Sequence, residues 1–501
     1  MSACLAVNPQ RPVIDLAELL ADRLKIAPLA VTGLTLDSRR VSAGDAFVAL
    51  PGALAHGLSF APAACAQGVQ VVLVDASDAH SGVALPAHVQ VLKVPHLMRD
   101  LAELANRAYG YPSRQLSITG ITGTNGKTTT AWLLASAYQA LGQSAGYIGT
   151  LGSGLLNHLS APTHTTPDVI TLQQNLAGIQ AAGATTVAME VSSQGLAQSR
   201  TDAIGIKRAG FTNLTRDHLD YHGTLEAYGA AKARLFVGSD LQQAVINVAD
   251  AFGEQLAGSL RSDIQLIAVQ PSDDRYPNFV RARSIKPQWD GLVIEGESHL
   301  GAFTLHSSLI GLFNVENLLV ALGLLLADGL ALADAVRALQ QAKAPPGRME
   351  VWRLANNAVV VVDYAHTPDA LEKALQSLRQ HAQAQLWCVF GCGGDRDPGK
   401  RPLMGAVAER LADRVVVTDD NPRGEDSQAI WADIDRGFLE PARVLHESDR
   451  AQAIGLAIAH SKAGDVILVA GMGHETCQIR AGVSRAYSDR DTVASFAAGS
   501  P

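Results

Sequence analysis

The feature that most constrains the fold is a strand, a glycine loop and a helix in immediate succession, "QLSITGITGTNGKTTTAWLLASAYQALG" at residues 115–142. An apolar strand that runs into such a loop and then into a helix is typical of a phosphate-binding unit, because backbone N–H groups and the helix N-terminus attract anions. The standard pattern G-x-x-x-x-G-K-[ST] would place its first glycine at position 121, where this chain has Ile121, with glycines at 120 and 123. The sequence therefore predicts a variant phosphate loop and not that of a standard GTPase.

Three blocks of different character follow one another along the 501 residues and predict an α/β fold. Residues 1–97 contain short strands separated by turns, and residues 98–345 contain the glycine loop and its flanking elements. Residues 346–501 alternate strands with helices. The last boundary lies at "PPG" (345–347), which cannot continue a helix.

The C-terminal block predicts a parallel sheet with a ligand site at one edge. Four of its strands run into polar loops, "YAHTPD", "GCGGDRD", "DDNPRGED" and "GMGHE". In open α/β sheets, ligands bind in the crevice beyond the carboxyl ends of the strands. The four loops are therefore a candidate binding site.

Composition and charge exclude several classes of function. A formal net charge of −8 provides no basic surface, so nucleic acid is not expected as a partner. The longest apolar run, residues 318–327, ends at Asp328 and is too short to cross ~30 Å of hydrocarbon, so no membrane insertion is expected. The five cysteines are scattered without zinc-site spacing, which indicates reduced thiols. These features predict a soluble, cytoplasmic protein.

Four features suggest phosphate and metal chemistry from residue type alone. Lys127 would supply a point charge to phosphate, and Thr128 a hydroxyl ligand to Mg²⁺. Glu190 ends a buried strand, where an unpaired carboxylate is costly, so it is either a metal-site residue or half of a structural ion pair. The segment "TRDHLDYHG" (215–223) is either a solvated turn or the source of a histidine ligand.

A set of motifs occurs in one order along the chain: "GTNGKTT" (123–129), "EVSSQGL" (190–196), "FTNLTRDHLDYHG" (211–223), "FNVEN" (313–317), "DYAHTPDAL" (363–371), "GCGGDRDPGKRP" (391–402) and "DNPRGED" (420–426). Together they resemble the Mur ligases, the ATP-dependent amide ligases of peptidoglycan precursor assembly. Each motif alone is modest evidence. The resemblance extends from "LDSRRV" (36–41) to "GMGHE" (471–475) and so covers nearly the whole chain.

The resemblance implies three α/β domains. They are an N-terminal UDP-sugar-binding domain (1–97), a central P-loop ATPase domain (98–345) and a C-terminal Rossmann-like, amino-acid-binding domain (346–501). It implies ATP and Mg²⁺, and a CO₂-derived carbamate on Lys232, which residue type alone would assign to the surface. The implied reaction adds meso-diaminopimelate to the D-glutamate of UDP-MurNAc-L-Ala-D-Glu through an acyl-phosphate. The implied enzyme acts on small molecules as a monomer.

The resemblance also carries the family's site residues onto this sequence. The implied catalytic and metal-binding residues are Lys127, Thr128, Glu190, His218 and the N-carboxylated Lys232. The implied ATP contacts are Gly123, Thr124, Asn125, Gly126, Lys127, Thr128, Thr129, Asn317, Arg348 and Asp363. The implied contacts to the UDP-MurNAc-dipeptide are Leu36, Ser38, Ala53, Leu54, Ala55, Thr165, Thr166, Ser192, Gln198 and Arg200. The implied contacts to meso-diaminopimelate are Arg396, Asp420, Asn421, Pro422, Arg423, Gly471 and Glu475.

Arg423 decides between amino-acid substrates. Diaminopimelate differs from lysine by one extra carboxylate, and a guanidinium offers that group a rigid two-pronged donor. Since lysine-adding relatives lack this arginine, the resemblance favours meso-diaminopimelate. Met472 departs from the family, which commonly has lysine at this position.

Three alternatives stand beside this interpretation. The first is a lysine-adding or other Mur-type or folylpolyglutamate-like amide ligase, against which "DNPRGED" and the UDP-like first domain weigh. The second is a P-loop binding module or GTPase, which leaves the C-terminal loops unexplained. The third is an inactive scaffold, which the presence of Lys127, Glu190, His218 and Arg423 disfavours.

Overall fold

The structure is a computed structural model and describes residues 13–52, 55–78, 83–162, 164–215, 217–288 and 291–498. The chain forms two compact units, one of residues 1–127 and 142–267 and the other of residues 128–141 and 268–501. Among the described residues, no helix is long and apolar enough to cross a membrane.

The first unit begins with a small parallel sheet. The first strands of this unit are β1 Ile14–Asp15, β2 Ala30–Val31, β3 Gly33–Thr35, β4 Asp45–Ala49, β5 Val71–Asp75 and β6 Gln90–Val94. The helices among them are α1 Leu16–Leu19, α2 Ala61–Ala66 and α3 Leu97–Ala108, with 3₁₀ turns at Ser38–Arg40 and Gly57–Phe60. β3, β4, β5 and β6 pair in that order, all parallel, while β1 pairs with β2.

α3 forms because its apolar residues recur at helical spacing. Leu97, Leu101, Leu104 and Ala105 lie on one stripe, and all four are buried in the core of the N-terminal sheet. The sequence "LMRDLAELANRAYG" (97–110) predicts a helix here, and the structure confirms it.

A larger sheet follows in the same unit. Its strands are β7 Ser117–Thr122, β8 Ala145–Gly149, β9 Gly152–Leu155, β10 His158–Ser160, β11 Thr186–Glu190, β12 Ile206–Phe211 and β13 Gln243–Asn247. The helices of this stretch are α4 Lys127–Ala140, α5 Val169–Ala181, α6 Ser193–Ala197, α7 Leu219–His222, α8 Leu225–Ala233 and α9 Ala251–Gly258, with 3₁₀ turns at Pro112–Arg114 and Arg234–Phe236. α4 belongs to the second unit from its second residue onward.

Strand order in this sheet positions the glycine loop. The order is β10-β9-β8-β11-β7-β12-β13, in which β8, β11, β7, β12 and β13 are parallel and β9 and β10 are antiparallel additions. β7 therefore has β11 on one side and β12 on the other. Because parallel strands end at the same edge, the glycine loop, Glu190 and the segment after β12 meet there.

The second unit contains the rest of the chain. Its strands are the end of β14 Gln265–Val269, then β15 Phe279–Gln288, β16 Gly291–Ser298, β17 Gly301–Ser307, β18 Glu350–Arg353, β19 Val359–Asp363, β20 Leu386–Phe390, β21 Arg414–Val417, β22 Leu445–His446, β23 Val466–Ala470, β24 Cys477–Arg480 and β25 Val483–Ala486. Its helices after α4 are α10 Phe313–Ala327, α11 Leu332–Gln341, α12 Pro368–Arg379, α13 Lys400–Leu411, α14 Ser427–Asp435, α15 Arg450–His460 and α16 Asp489–Ala498, with a 3₁₀ turn at Pro441–Arg443. β15, β16 and β17 form an antiparallel meander, and β24 pairs with β25.

The C-terminal sheet has the order β18-β19-β23-β20-β21-β22, and all its strands are parallel except the edge strand β18. Alternate side chains point to opposite faces, so Val361, Cys388 and Leu468 pack with α12, α13 and α14. Val360, Val389 and Ile467 pack on the other face with α15 and α16. Burial on both faces explains why these strands are apolar at nearly every position.

The predicted α/β class and the parallel C-terminal sheet are confirmed, whereas the predicted domain boundaries stay predictions. The sequence around residues 316–342, before the break at "PPG", predicts a single helix, and this prediction is wrong. The structure has α10 and α11 instead, because Gly329 takes a left-handed φ of 88° just beyond the end of α10. α10 is buried nearly all round, as its apolar sequence predicts.

Candidate active site

The glycine loop is held by the segment that follows β12. Thr124 N donates to Asn213 O at 2.8 Å, and Asn125 N donates to Asn213 Oδ1 at 3.0 Å. Thr212 Oγ1 donates to Asn125 O at 2.6 Å. Thr215 N donates to Thr124 Oγ1 at 2.9 Å. The loop conformation is therefore set by hydrogen bonds between the ends of two adjacent strands.

Gly123 is required by this close approach. Its φ is 150°, and a Cβ at this position would lie 1.9 Å from Thr212 Oγ1 and 3.1 Å from Asn213 N. Gly126, with a φ of 84°, makes the left-handed turn that leads into α4. Thr128 and Thr129 follow as the second and third residues of that helix.

Two lysines donate to one carbonyl oxygen of the loop. Lys127 Nζ lies 2.9 Å from Gly123 O and 2.8 Å from Thr124 O. Lys232 Nζ lies 2.7 Å from the same Gly123 O. Since two ammonium groups at one acceptor repel each other, this arrangement favours the neutral form of one amine.

Lys232 is buried, so the alternative of a plain surface lysine is wrong. Its side chain is 1% exposed, and its Nζ lies 4.3 Å from the centroid of the Tyr228 ring. Burial, reinforced by the charge of Lys127, lowers the pKa of Lys232 to about 6. At neutral pH the side chain is therefore predominantly a neutral, nucleophilic amine.

Glu190 is fully buried at the carboxyl end of β11. Its Oε1 accepts hydrogen bonds from the Tyr147 hydroxyl and from Thr150 N, the latter at 2.8 Å, and its Oε2 accepts from Thr150 Oγ1 at 3.2 Å. Thr150 Oγ1 also lies 3.2 Å from Thr165 Oγ1. A Cβ at Gly149 would lie 2.1 Å from Glu190 Oε1, so this glycine lets the carboxylate reach the backbone. These neutral donors orient the carboxylate.

The residues predicted to contact the sugar and peptide from the central domain are linked by hydrogen bonds. Thr166 Oγ1 donates to Glu190 O at 3.0 Å and accepts from Ser192 N at 2.9 Å. Arg200 Nη1 donates to Thr166 O at 2.6 Å, and Arg200 Nη2 donates to Gln198 Oε1 at 2.6 Å. Burial lowers the pKa of Arg200 below its usual range. The structure thus brings these predicted residues together beside Glu190.

His218 lies near Lys232 through a shared aromatic ring. Its imidazole centroid is 6.0 Å from that of Tyr228, and its Nε2 lies 3.5 Å from Asp217 Oδ2. In the described part of the chain, no three His, Cys, Asp or Glu side chains are close enough to hold a metal ion by themselves. A metal at this edge would therefore need hydroxyl, phosphate, carbamate or water ligands as well, as Mg²⁺ commonly has.

The predicted N-terminal contacts lie at the end of β3. Leu36 is half-buried beside the core of the small sheet. Ser38 begins the 3₁₀ helix Ser38–Arg40, whose start is capped by Asp37 through a bond from Arg39 N to Asp37 Oδ1 at 3.0 Å. Leu36 and Ser38 therefore occupy one short, ordered turn.

The turn predicted to contact uracil is only partly described. Ala55 is exposed, and its carbonyl oxygen accepts a hydrogen bond from Gly52 N at 3.1 Å. The predicted contacts Ala53 and Leu54 lie outside the described residues.

In the second unit, Asp363 ends β19 beside the segment that carries Arg348. Asp363 Oδ2 accepts from Met349 N at 2.8 Å, and Asp363 O accepts from Gly471 N at 3.1 Å. Burial raises the pKa of Asp363, and the nearby Arg348 charge opposes that rise. The Arg348 guanidinium carbon lies 4.7 Å from the centroid of the Tyr364 ring, and its buried Nε has no hydrogen-bond partner in the described part of the chain.

Asn317 lies in the first turns of α10. It is 4% exposed, and its Nδ2 donates to Asn314 Oδ1 at 2.9 Å. Asn314 Nδ2 donates in turn to Ile310 O at 2.8 Å. These bonds fix the orientation of the Asn317 amide.

The loops after β21 and β23 meet through Asn421. Asn421 Nδ2 donates to Glu475 Oε2 at 2.7 Å, while its Oδ1 accepts from Ile479 N at 2.7 Å. A Cβ at Gly471, whose φ is 117°, would lie 2.5 Å from Asp420 Oδ2. Burial, reinforced by the charge of Asp420, raises the pKa of Glu475. Asp420, Asn421, Gly471 and Glu475 therefore form one close group.

Arg423 lies at the rim of this group in a left-handed conformation, with a φ of 52°. Its backbone N donates to Ile479 O at 2.9 Å, and its Nη1 donates to Gly394 O at 2.9 Å. A Cβ at Gly393 would lie 2.7 Å from Arg423 Nη1, so this glycine makes room for the guanidinium. Nε and Nη2 of Arg423 make no hydrogen bond within the described residues. One edge of the guanidinium is therefore available to a carboxylate.

The remaining predicted amino-acid contacts differ in exposure. Arg396 is exposed, and its Nη1 donates to Asp395 O at 3.3 Å. Pro422 is buried between Asn421 and Arg423. Met472 is 0% exposed, so a lysine at this position would bury its stem.

Several residues that position the site were not predicted from the sequence. Asn213 lies in the quoted motif "FTNLTRDHLDYHG", whose threonine and asparagine offered a signal for a loop contact. Tyr147 offered no comparable signal, because a tyrosine in a strand is ordinary. Thr150 follows the end of the same strand and lies in no quoted motif, whereas Tyr364 lies in the quoted motif "DYAHTPDAL".

Comparison with known proteins agrees with this arrangement. Three family models match successive parts of the chain: "Mur ligase family, catalytic domain" at residues 30–109, "Mur ligase middle domain" at 121–325 and "Mur ligase, glutamate ligase domain" at 347–473.

The chain is also similar to individual proteins named UDP-N-acetylmuramoyl-L-alanyl-D-glutamate--2,6-diaminopimelate ligase. The one from Pseudomonas aeruginosa is 48% identical over 461 residues, 92% of this chain and 94% of the relative. The one from Xanthomonas oryzae pv. oryzae is 48% identical over 479 residues, 95% of each chain. A solved structure of a ligase of that name superposes with a TM-score of 0.68 at 35% identity, covering 97% of this chain and 99% of that one. The chain therefore belongs to the Mur ligase family, the ATP-dependent ligases of peptidoglycan precursor synthesis.

Proposed function

We propose that this protein uses ATP to join meso-diaminopimelate to the D-glutamate of UDP-MurNAc-L-Ala-D-Glu. The names of its relatives and the family models support this function. The observation that carries it is the edge of Arg423, whose Nε and Nη2 are unbonded within the described residues, next to the buried Asn421 and its half-buried partner Glu475.

The reaction requires two displacements. The γ-carboxylate of D-glutamate attacks the γ-phosphorus of ATP, so that a P–O bond to ADP breaks and an acyl-phosphate forms. The amine of diaminopimelate then attacks the acyl carbon, loses a proton and expels inorganic phosphate. ATP thereby replaces oxide, a poor leaving group, with phosphate, and the protein contributes positioning and charge stabilisation.

In this proposal, backbone groups from Gly123 to Thr129 hold the phosphates of ATP, and Lys127 exchanges its carbonyl acceptors for the transferring group. Asn317, Arg348 and Asp363 contact the rest of the nucleotide. The unpartnered Nε of Arg348 supports such a role, because a buried donor without an acceptor is costly.

The residues at the edge of the large sheet fit Mg²⁺. Glu190 is a buried carboxylate that accepts hydrogen bonds from Tyr147 and Thr150, and Thr128 and a Lys232 carbamate would add hard oxygen ligands. His218 would complete this set. When bound, Mg²⁺ offsets the repulsion between the attacking carboxylate and the phosphate.

The environment of Lys232 supports carbamylation. CO₂ reacts with a neutral amine, and the pKa of about 6 makes this amine neutral at physiological pH. The nitrogen forms a bond to the CO₂ carbon and releases one proton, which turns a buried neutral amine into an anion able to face Mg²⁺. Carbamate formation would also place a negative charge near the Lys127 ammonium, which attracts it.

The UDP-MurNAc-dipeptide contacts of this proposal are Leu36, Ser38, Ala53, Leu54, Ala55, Thr165, Thr166, Ser192, Gln198 and Arg200, and those among the described residues lie in the first unit. Arg200 is the cation among them, and its burial strengthens a hydrogen bond to a substrate phosphate or carboxylate.

The amino-acid contacts of this proposal are Arg396, Asp420, Asn421, Pro422, Arg423, Gly471 and Glu475. Arg423 binds the distal carboxylate, which lysine lacks, and Glu475 pairs with the distal ammonium. We further propose that the enzyme acts as a monomer in the cytoplasm, where ATP and UDP-linked precursors are available.

The test measures phosphate release with UDP-MurNAc-L-Ala-D-Glu and ATP, comparing meso-diaminopimelate with L-lysine. Because a hydrogen bond to a charged group is worth about 1.5–3 kcal/mol, wild type should prefer diaminopimelate by about one to two orders of magnitude, and Arg423→Ala should lose that preference. Arg443→Ala is the matched control. The Arg443 side chain is 81% exposed and, within the described residues, forms an ion pair only with Glu440.

Two other outcomes contradict the proposal in different ways. Equal rates with both amino acids would favour a lysine-adding or less specific ligase. ATP hydrolysis that is indifferent to any added amino acid would favour a P-loop module without ligation.

A further inference from the structure

A buried arginine binds the backbone that leads into the proposed amino-acid site. Arg450 is the first residue of α15 and is among the largest fully buried side chains of the described protein. Its Nε lies 2.7 Å from Asp489 Oδ1 and its Nη2 lies 2.8 Å from Asp489 Oδ2, a two-pronged pair. The Tyr487 hydroxyl donates to Asp489 Oδ1 at 3.0 Å. The guanidinium is therefore fixed in one orientation.

The same guanidinium also binds the ends of two strands. Arg450 Nη2 donates to Ala470 O at 2.8 Å, and Nη1 donates to Asp419 O at 3.3 Å. A carbonyl oxygen and the N–H of the next residue share one planar peptide unit. Arg450 therefore orients the peptide units that lead into Asp420 and Gly471, two of the proposed amino-acid contacts.

The close group formed by Asp420, Asn421, Gly471 and Glu475 has little freedom to adjust. Gly471 leaves no room for a Cβ beside Asp420 Oδ2, and Asn421 connects the same loop to Glu475 at 2.7 Å. A shift of either strand end would therefore move several contacts together. Since misplacement by about 1 Å can reduce a rate about 100-fold, such a shift is costly to catalysis.

Stability alone gives a weak reason for this ion pair. Replacing a buried ion pair with apolar residues of similar volume is often neutral or stabilising, because desolvation offsets the attraction. The carbonyl bonds, in contrast, have no apolar substitute. They indicate a role that depends on geometry at the ends of β21 and β23.

We propose that Arg450 is a positioning residue for the amino-acid substrate, held in place by Asp489 and acting through the carbonyl groups of Asp419 and Ala470. This inference rests on the proposed function. We expect the effect to fall mainly on the amino acid, because the two peptide units that Arg450 holds lead into Asp420 and Gly471, two of the proposed amino-acid contacts.

The test is the double variant Arg450→Met/Asp489→Leu, which removes the pair without leaving a buried charge unpaired. We expect its KM for meso-diaminopimelate to rise about 10- to 100-fold and its KM for UDP-MurNAc-L-Ala-D-Glu to stay unchanged within about twofold. The KM for ATP should rise less than that for diaminopimelate, because the Ala470–Gly471 peptide unit reaches the nucleotide contacts only through the bond from Gly471 N to Asp363 O. Arg379→Met is the matched control, because Arg379 also binds an aspartate and a carbonyl, Asp413 Oδ2 at 2.8 Å and Leu411 O at 2.9 Å, near the amino end of β21.

A folded double variant with a wild-type KM for diaminopimelate would overturn the inference, as would equal rises for all three substrates. If the double variant does not fold, Tyr487→Phe decides the question, because it removes one hydroxyl bond to Asp489 and should raise the same KM by about two- to tenfold. An unchanged KM in that variant would overturn the inference. Failure of wild type to use diaminopimelate at all would contradict the proposed function and is measured separately.

Discussion

At the residue scale, Lys232 shows how burial creates reactivity. The same amine on the surface would be protonated near neutral pH, whereas burial and the neighbouring Lys127 lower its pKa to about 6. Because depression of a lysine pKa enlarges the neutral fraction, the amine is available to CO₂ above pH 6 and protonated below it. The chemistry of this position is thus a property of its surroundings.

This shift makes carbamylation pH-dependent. In ¹³C-bicarbonate without metal, we expect a carbamate resonance at pH 7.5 that disappears as the pH falls through about 6, since protonation removes the nucleophilic lone pair. Lys232→Met should lack the resonance, and it should lose ligase activity. NMR and phosphate release measure the two effects.

Lys286→Met provides the control for that experiment. Lys286 is 59% exposed and pairs with Glu295 at 2.6 Å, so its loss should leave the resonance in place. A resonance that persists in Lys232→Met, or that survives unchanged below pH 6, would contradict the assignment.

At the element scale, the unit of β7, the glycine loop and α4 is where sequence and structure agree most closely. The strand, the loop and the helix occur in the predicted order, because glycine and apolar periodicity are local signals. The hydrogen bonds from Thr212 and Asn213 were not predictable in detail, since they depend on β12 lying beside β7. Pairing between distant strands leaves little trace in one sequence.

Gly123 offers a direct test of this element. Gly123→Ala should raise the Kd for ATP by about two orders of magnitude, because the new Cβ would displace Thr212 Oγ1, 1.9 Å away, and with it the loop. Calorimetric titration with ATP measures the change. Binding at wild-type affinity would show that the loop tolerates the shift.

Gly142→Ala is the matched control. Gly142 also has a positive φ, 77°, but a Cβ there would meet nothing within 4 Å. We expect a cost of about 1–3 kcal/mol in the free energy of unfolding from the backbone strain and no change in the Kd for ATP.

The C-terminal sheet shows the same division between local and distant signals. The four polar loops were predictable, since each follows an apolar strand and the strands are parallel. The contact between Arg450 and Asp489 was not, because the residues are 39 positions apart and neither lies in a quoted motif. Arg423 was found through its motif, while its left-handed backbone was not foreseeable from arginine's preferences.

At the scale of the whole molecule, the division into two compact units predicts unfolding that is not two-state. The proposed amino-acid contacts Asp420, Asn421, Arg423, Gly471 and Glu475 all belong to the second unit. A ligand that binds only folded protein stabilises it by about 2.7 kcal/mol at 100 times its Kd. Meso-diaminopimelate should therefore raise the melting temperature of one calorimetric transition by a few degrees and leave the other in place.

Two variants show whether the shifted transition belongs to the unit that holds the proposed amino-acid site. Arg423→Ala should abolish the shift caused by diaminopimelate, while Arg443→Ala should keep it, because Arg443 is exposed and outside the site. A single transition that moves as a whole would contradict independent unfolding of the units.

The carbonyl oxygen of Gly123, which accepts from both Lys127 and Lys232, has a consequence for the order of events. While Lys127 keeps its charge beside this oxygen, it disfavours protonation of its neighbour. A phosphate that draws Lys127 away would relieve that repulsion and let the second amine regain its proton. Capture of CO₂ should thus be fastest before the nucleotide arrives, and enzyme equilibrated with bicarbonate beforehand should show no lag when ATP is added last.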